Sequence, residues 1–254
     1  MGGSHDSARL PETHRLVHLE VCASTNSEAM RRAIAGDALP LWVITDRQTA
    51  GRGRSGRAWQ SLPGNLLASL AVPLRGPMSV AAELSLVAGN AVIDAVRNAR
   101  PGLQNLRLKW PNDVLLGGAK LGGILVESAA TAHGVVAVIG IGLNLAGHPE
   151  GIDRPAAHLF DNENEPCPLD MLAHVGQTMH QWLCVWDEGR GLAEVRAGWL
   201  ERAGPPGEAL GINAGSRFVS GSFAGLDAGG ALLLATPDGR IERFTFGDVT
   251  LAAT

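Results

Sequence analysis

Apolar and polar positions along the chain switch between a period near two and a period near 3.6, and the switches mark out the elements. RLVHLEV (15–21) alternates as a half-buried strand does. In STNSEAMRRAIAG, Thr25 and Glu28 stand at the separation of a capping box and Gly36 supplies a stop, which predicts a helix over 26–35. LWVITD (41–46) and NLLASLAV (65–72) are short apolar runs that predict buried strands. A long helix is predicted over 79–99, where Leu84, Val87, Ala88, Ala91 and Ala95 recur at helical spacing. LRLKW reads as a strand entering a turn at Pro111, which cannot donate to a ladder. VLLGGAKLGGILVE then gives two strands about a Gly-Gly turn, and GVVAVIGIGLNL a further buried strand.

Downstream, Leu172, Val175, Met179, Leu183 and Trp186 form one apolar face of a helix over 169–186 that starts behind Pro168, and a second helix covers 191–202. AGPPGE (203–208) breaks the pattern and predicts a linker. Short strands separated by GLDAGG and PDG follow it. The chain thus divides into a disordered tail at 1–14, a large domain at 15–203 and a small all-β module at 209–254. That module is too small to be comfortably stable alone and is expected to pack on the larger domain.

Composition narrows the function classes. The 254 residues are 45% apolar and 18% charged, with a formal net charge of −4, so no whole-chain basic field favours nucleic acid. Three widely spaced cysteines, Cys22, Cys167 and Cys184, fit neither a disulfide framework nor a zinc site and suit a reduced, cytoplasmic setting. No uninterrupted apolar run reaches the roughly 18 residues of a membrane span. The first residues lack the apolar core of a signal peptide.

Against that acidic background, DRQTAGRGRSGRAW (46–59) interleaves Arg52, Arg54 and Arg57 with Gly51, Gly53 and Gly56. Guanidiniums bind carboxylates and phosphates through paired hydrogen bonds, and glycines let backbone N–H groups approach a ligand closely, so the loop suits an anion. In KWPND, Asn112 and Asp113 sit at a strand end, although both residue types favour turns without any ligand. Lys120 lies among Gly117, Gly118, Gly122 and Gly123 with an open approach to a carboxylate or phosphate, or is simply an exposed lysine by a hairpin. GIGLN ends a strand with Asn144. Walker, zincin and nucleophile-elbow motifs are missing, and His174 and His180 are too far out of phase to share a helix face as ligands.

The order STN, GRGRSGRAW, KWPNDV, KLGGILVE, GIGLN resembles the catalytic domain of biotin protein ligases over about residues 16–144, and FTFGDVTL resembles the closing strand of that family's small C-terminal domain. The resemblance implies an α/β (α+β) fold, with a mixed, largely antiparallel sheet packed by helices on one side and a small SH3-like β-barrel. It implies ATP-dependent formation of biotinyl-AMP, then transfer of biotin to a lysine of a biotin carboxyl carrier protein. ATP, with Mg²⁺ held mainly by the nucleotide, would be the co-substrate. The catalytic residues would be Lys120, Arg54 and Asp113, the last positioning the adenylate with its magnesium or meeting the attacking lysine. Ser24, Thr25, Asn26, Gln48, Gly51, Arg52, Arg54, Lys120 and Gly122 would bind biotin. Arg52, Arg57, Trp59, Asn112, Asp113, Lys120 and Asn144 would bind the adenylate, with the arginine loop closing over it as a lid.

Ser55 and His158 depart from the family's pattern, so no adenine contact carries over to the AAHLF segment. The pattern begins near residue 16, which leaves no room for the DNA-binding domain of some relatives, and a repressor role is expected to be missing. Three rival readings remain. A lipoate ligase would share the fold and reaction logic, but GRGRSGRAW favours biotin. A non-catalytic biotin binder would be expected to lack Lys120 or the loop arginines. An RNA binder would show clustered basic charge and more than 4% aromatics.

Overall fold

The computed structural model describes residues 9–151, 154–160 and 167–251. Strands β1 (Arg15–Cys22), β2 (Leu41–Gln48), β3 (Leu66–Leu74), β4 (Leu106–Lys109), β5 (Asp113–Leu116), β6 (Ala119–Thr131) and β7 (Gly134–Leu143) form a seven-stranded sheet of order β1-β2-β3-β7-β6-β5-β4. The β1–β2 pair is parallel and the other pairs are antiparallel. Helix α1 (Thr25–Ile34) is the crossover that a parallel pair requires.

Helices cover both faces of the sheet, where the sequence suggested one. Leu41 and Val43 of β2 face Ala29 and Ala33 of α1, while Trp42 and Ile44 point the other way into the main core. That core is built with α2 (Leu84–Ala99), α3 (Pro168–Trp186) and α4 (Leu192–Arg202). Strands buried on both faces lose alternation and become continuous apolar runs, which is how LWVI and LLASLAV read. The long helix predicted at 79–99 is a 3-10 turn, Met78–Glu83, leading into α2. Met78–Ala99 is apolar enough by length and composition to cross a membrane, but 67% of its most apolar window is buried in the fold.

The N-terminus of α1 also differs from expectation. Ser24 is the N-cap and makes no side-chain capping bond, and Glu28 binds Arg31 and Arg32 instead of closing a capping box. Thr25 is already inside the helix, where its hydroxyl is available for other work. Of the expected tail, residues 1–8 lie outside the described residues, whereas 9–14 pack on the fold. Gln177 donates to the Arg9 carbonyl, Leu10 packs against Gly176, and Trp42 Nε1 lies 3.1 Å from His14 Nδ1.

Beyond α4, strands β8 (Ala209–Ala214), β9 (Arg217–Leu226), β10 (Leu232–Ala235), β11 (Ile241–Phe244) and β12 (Asp248–Leu251) make an antiparallel, barrel-like sheet of order β11-β10-β9-β8-β12. Residues 252–254 of this module lie outside the described residues. Its Leu210, Phe223, Leu232 and Val249 belong to the same core cluster as Trp199 of α4 and Leu108 of β4. The seam there encloses only about 20 Å³. Arg107 reaches across to Glu208 at 2.6 Å, and Trp110 Nε1 donates to the Gly230 carbonyl at 3.2 Å.

Candidate active site

A cleft of about 1160 Å³ runs from the start of α1, under the arginine loop and over β4–β7, to the start of β12. That exceeds the usual 300–1,000 Å³ of a single-ligand pocket and leaves room for two ligands side by side. Its two ends differ in chemistry.

At one end, neutral polar groups are buried and tied together. Ser24, Thr25, Asn26 and Ser69 are each at most 5% exposed. Gln48 Oε1 accepts from the Thr25 backbone N–H at 2.8 Å and lies 3.2 Å from its hydroxyl. Ser69 donates to Asn26 Oδ1 at 2.6 Å and stands 2.7 Å from Thr25 Oγ1. Asn26 Nδ2 donates to Glu127 at 2.7 Å and to the Leu125 carbonyl at 3.2 Å. With Gln48's carbonyl engaged by Thr25, its NH₂ is the group it can offer a ligand. Gly140 is needed beneath this cluster, because a Cβ there would strike the Asn26 amide.

At the other end lies a charged floor. The β4–β5 hairpin pairs Lys109 with Asp113, and the β5–β6 ladder, with its irregularity at Val114/Leu115, swings Lys120 onto the same carboxylate. Lys120 Nζ contacts Asp113 Oδ1, and Lys109 Nζ lies 2.9 Å from Oδ2. Asp113 is 6% exposed. Burial alone would raise its pKa, but Lys120 and then Lys109 outweigh that and hold it below the usual carboxylate value. Burial lowers the Lys120 pKa, partly offset by Asp113. Lys120's backbone is gripped from behind: its N–H donates to Pro155 and its carbonyl accepts from Ala157, each at 2.9 Å.

The arginine loop spans the two ends, each guanidinium resting on a protein group. Arg52 binds both Glu127 oxygens at 2.9 and 3.0 Å. Arg57 reaches Asp248 at 2.5 Å, and Arg54 lies 3.4 Å from both the Gly247 carbonyl and Asn112 Oδ1. Burial lowers the Arg54 pKa, and the nearby Asp248 opposes this. Trp59, at the end of the loop, lays its indole on β6 and β7; a Cβ at Gly142 would meet it at 2.5 Å and one at Gly123 at 3.3 Å. Lys120 Nζ is 5.7 Å from its ring centroid, within cation–π range. The indole N–H is buried without a partner among the described residues.

Most residues singled out from sequence therefore meet in one cleft, Asn144 at its border included, but Gly51 and Gly122 are not among those that line it. Gly122 turns toward Leu143 and the Gly142 carbonyl, and Gly123 borders the cleft instead. Gly51 is a close-approach residue within the loop: its carbonyl accepts from Trp59 N–H at 2.9 Å, and a Cβ would meet the Trp59 carbonyl at 2.6 Å. Asn144, only 3% exposed, donates to the Ala157 carbonyl at 3.0 Å and braces the segment behind Lys120. His158 lies against His148, with 2.7 Å between their Nδ1 atoms. Sequence reasoning missed Ser69, Lys109, Glu127 and Asp248. For Ser69 a signal existed, since a lone hydroxyl inside the apolar run LLASLAV needs a buried partner. Among the described residues no group of three or more His, Cys, Asp or Glu side chains could hold a metal.

Residues 20–144 match the biotin/lipoate A/B protein ligase family, and residues 211–251 match the biotin protein ligase C-terminal domain. The biotin–[acetyl-CoA-carboxylase] ligase of Paracoccus denitrificans is 39% identical over 226 residues, spanning 85% of this chain and 92% of that protein. The bifunctional ligase/repressor BirA of Bacillus subtilis is 31% identical over 93% of this chain and 74% of its own length. Among solved structures, the biotin protein ligase from Aquifex aeolicus in complex with biotin and ATP aligns with a TM-score of 0.77 at 26% identity, covering 94% of this chain and 99% of that one.

Proposed function

The chain belongs to the biotin/lipoate A/B protein ligase family, and from that premise we propose that it is a biotin protein ligase, which activates biotin with ATP and passes it to a lysine of a biotin carboxyl carrier protein. The observation that carries the reading is the joining, in one cleft, of a buried neutral amide–hydroxyl cluster to a lysine–carboxylate floor under an arginine loop.

Biotin's ureido group offers one carbonyl and two N–H groups and carries no charge, so Thr25, Asn26, Gln48 and Ser69 suit it better than ions would. Its valerate then runs toward Lys120. There the carboxylate oxygen attacks the α-phosphorus of ATP, the bond to pyrophosphate breaks, and Lys120 and Arg54 offset the charge gathered at the centre. Arg52 and Arg57 exchange Glu127 and Asp248 for the ligand's anionic groups as the loop closes, and Trp59 packs on the adenine side with Asn112 near the nucleotide. Closure excludes water from a hydrolysable acyl phosphate. Magnesium would be held mainly by the nucleotide's phosphates and would offset their charge, since the buried carboxylate Asp113 is already matched by two ammoniums.

In the second step the acceptor lysine, an ammonium in water, gives a proton to Asp113, and the neutral amine so formed attacks the biotinyl carbonyl. The C–N bond forms, the acyl C–O bond breaks, AMP leaves with the electron pair, and the second N–H proton passes to solvent. The free cysteines Cys22, Cys167 and Cys184 accord with a reducing, ATP-rich cytoplasm. Mass spectrometry of the protein incubated with biotin and Mg-ATP, with lipoate in parallel, tests the reading. Biotinyl-AMP and pyrophosphate are expected from biotin alone; adenylate from lipoate alone, or from neither acid in a folded sample, would overturn it.

A further inference from the structure

The two lysines on Asp113 are not equivalent. Lys109 Nζ has a second fixed partner, the Val249 carbonyl at 3.0 Å, and stands across the β4–β5 ladder from the aspartate. Lys120 Nζ, in contrast, has the Asp113 carboxylate as its hydrogen-bond partner among the described residues and lies near the face of Trp59, on the side open to the cleft. One ammonium is tethered between the two domains and the other is free to turn. When an anionic substrate draws Lys120 away, a carboxylate that is 6% exposed would be left without a counter-charge if Lys109 were not there.

We propose that Lys109 is a positioning residue of the transfer step: it keeps Asp113 ionised and aimed while Lys120 serves the adenylate, so that Asp113 can take the acceptor amine's proton. This rests on the ligase reading above. The charged groups facing Asp113 are Lys109 from β4, Lys120 from β6 and Arg54 from the loop, while Arg154 acts on Lys120. Arg54 is turned to Gly247 and Asn112, and its field on Asp113 is weaker than that of the lysines in contact. Removing Lys109 therefore leaves burial to push Asp113 up whenever Lys120 departs. The anchor on Val249 explains why the charge sits here: β12 fixes the ammonium that fixes the base, and in this way the small module enters the chemistry without touching substrate.

The test separates nucleophiles. Enzyme-bound biotinyl-AMP is discharged either to a biotin carrier domain, whose lysine must lose a proton, or to hydroxylamine, which is already neutral. For Lys109→Met the expected result is a transfer rate to the carrier lysine lower by about tenfold or more at neutral pH. The acidic limb of its pH profile moves upward, and discharge to hydroxylamine stays within about threefold of the unmutated enzyme. Lys109→Arg, which keeps the charge and a donor for Val249, restores both rate and profile. Equal losses with both nucleophiles and an unmoved pH limb would overturn the proposal, as would a folded Lys109→Arg as slow as Lys109→Met. If thermal unfolding shows that Lys109→Met does not fold, Lys109→Gln takes its place with the same outcomes. An unmutated enzyme that forms no biotinyl-AMP would remove the ligase reading itself; one that forms and transfers it normally leaves only Lys109 in question.

Discussion

The neutral end of the cleft is finished before any ligand arrives, while the charged rim is held by provisional contacts. Thr25, Asn26 and Ser69 are buried and bonded to one another and to the sheet, with Ser24 buried beside them. The Arg52–Glu127 and Arg57–Asp248 pairs are between 38% and 47% exposed. Pairs that open to water contribute about 0–1 kcal/mol each, so a carboxylate or phosphate can displace them readily. Buried neutral networks need no rearrangement and discriminate by leaving a wrong ligand's partners unpaired. One end thus selects and the other moves.

The sharpest way to break this contrast is at the junction of the two ends. Lys120→Ala should lower biotin-dependent pyrophosphate release by about 10²–10³-fold. Its cost in denaturant unfolding should fall short of the ~3–5 kcal/mol of a buried charge that loses its only partner, because Lys109 still faces Asp113. A smaller effect is expected from Ser69→Ala, which strands Asn26 Oδ1. Stability should drop by about 1–3 kcal/mol, and the KM for biotin should rise on the order of tenfold with kcat little changed; an unchanged KM would mean that the neutral cluster is packing and not a binding site.

Smaller still, Asp248→Asn should alter ligand affinities by no more than about fivefold while speeding proteolysis of the empty loop; protection by biotin plus ATP should remain. His14 provides a control remote from both ends. Burial and the neighbouring His180 lower its pKa from 6.5 to about 4, so between those values the unfolded chain binds more protons than the folded one. Stability should fall as pH drops through that window, and His14→Asn should flatten the slope measured by denaturant unfolding, with the biotin KM unaffected.

The elements that the sequence disclosed are those whose physics is local. Apolar runs and Gly-Gly turns announced the strands, and the Arg/Gly and Lys/Gly segments announced an anion site. What stayed hidden depends on partners far along the chain. Thr25 and Glu28 have the spacing of a capping box, yet Thr25 is claimed by Gln48 and Ser69, and Glu28 by two arginines. Helices on both faces follow from how runs such as LWVI pack, which the runs alone leave undecided. Gly122 and Gly123 are indistinguishable as letters, and only the ladder with β7 decides which one borders the cleft. Lys109 stood inside a motif already noted, but its meaning depends on Val249, 140 residues away.

The linker at 203–208 divides the chain by topology, but the core ignores the division. Phe223, Leu232 and Val249 share one apolar cluster with Trp199, and the seam between them is nearly void-free. Neither sheet can melt without baring the flank of the other, so the two sheets should unfold as one cooperative unit with a single heat-absorption peak. Cutting the chain at the linker would produce two sticky fragments and not two domains. The small module is therefore inherited with the enzyme as part of its folding unit, and could be exchanged for another only by rebuilding the face of α4 on which it sits.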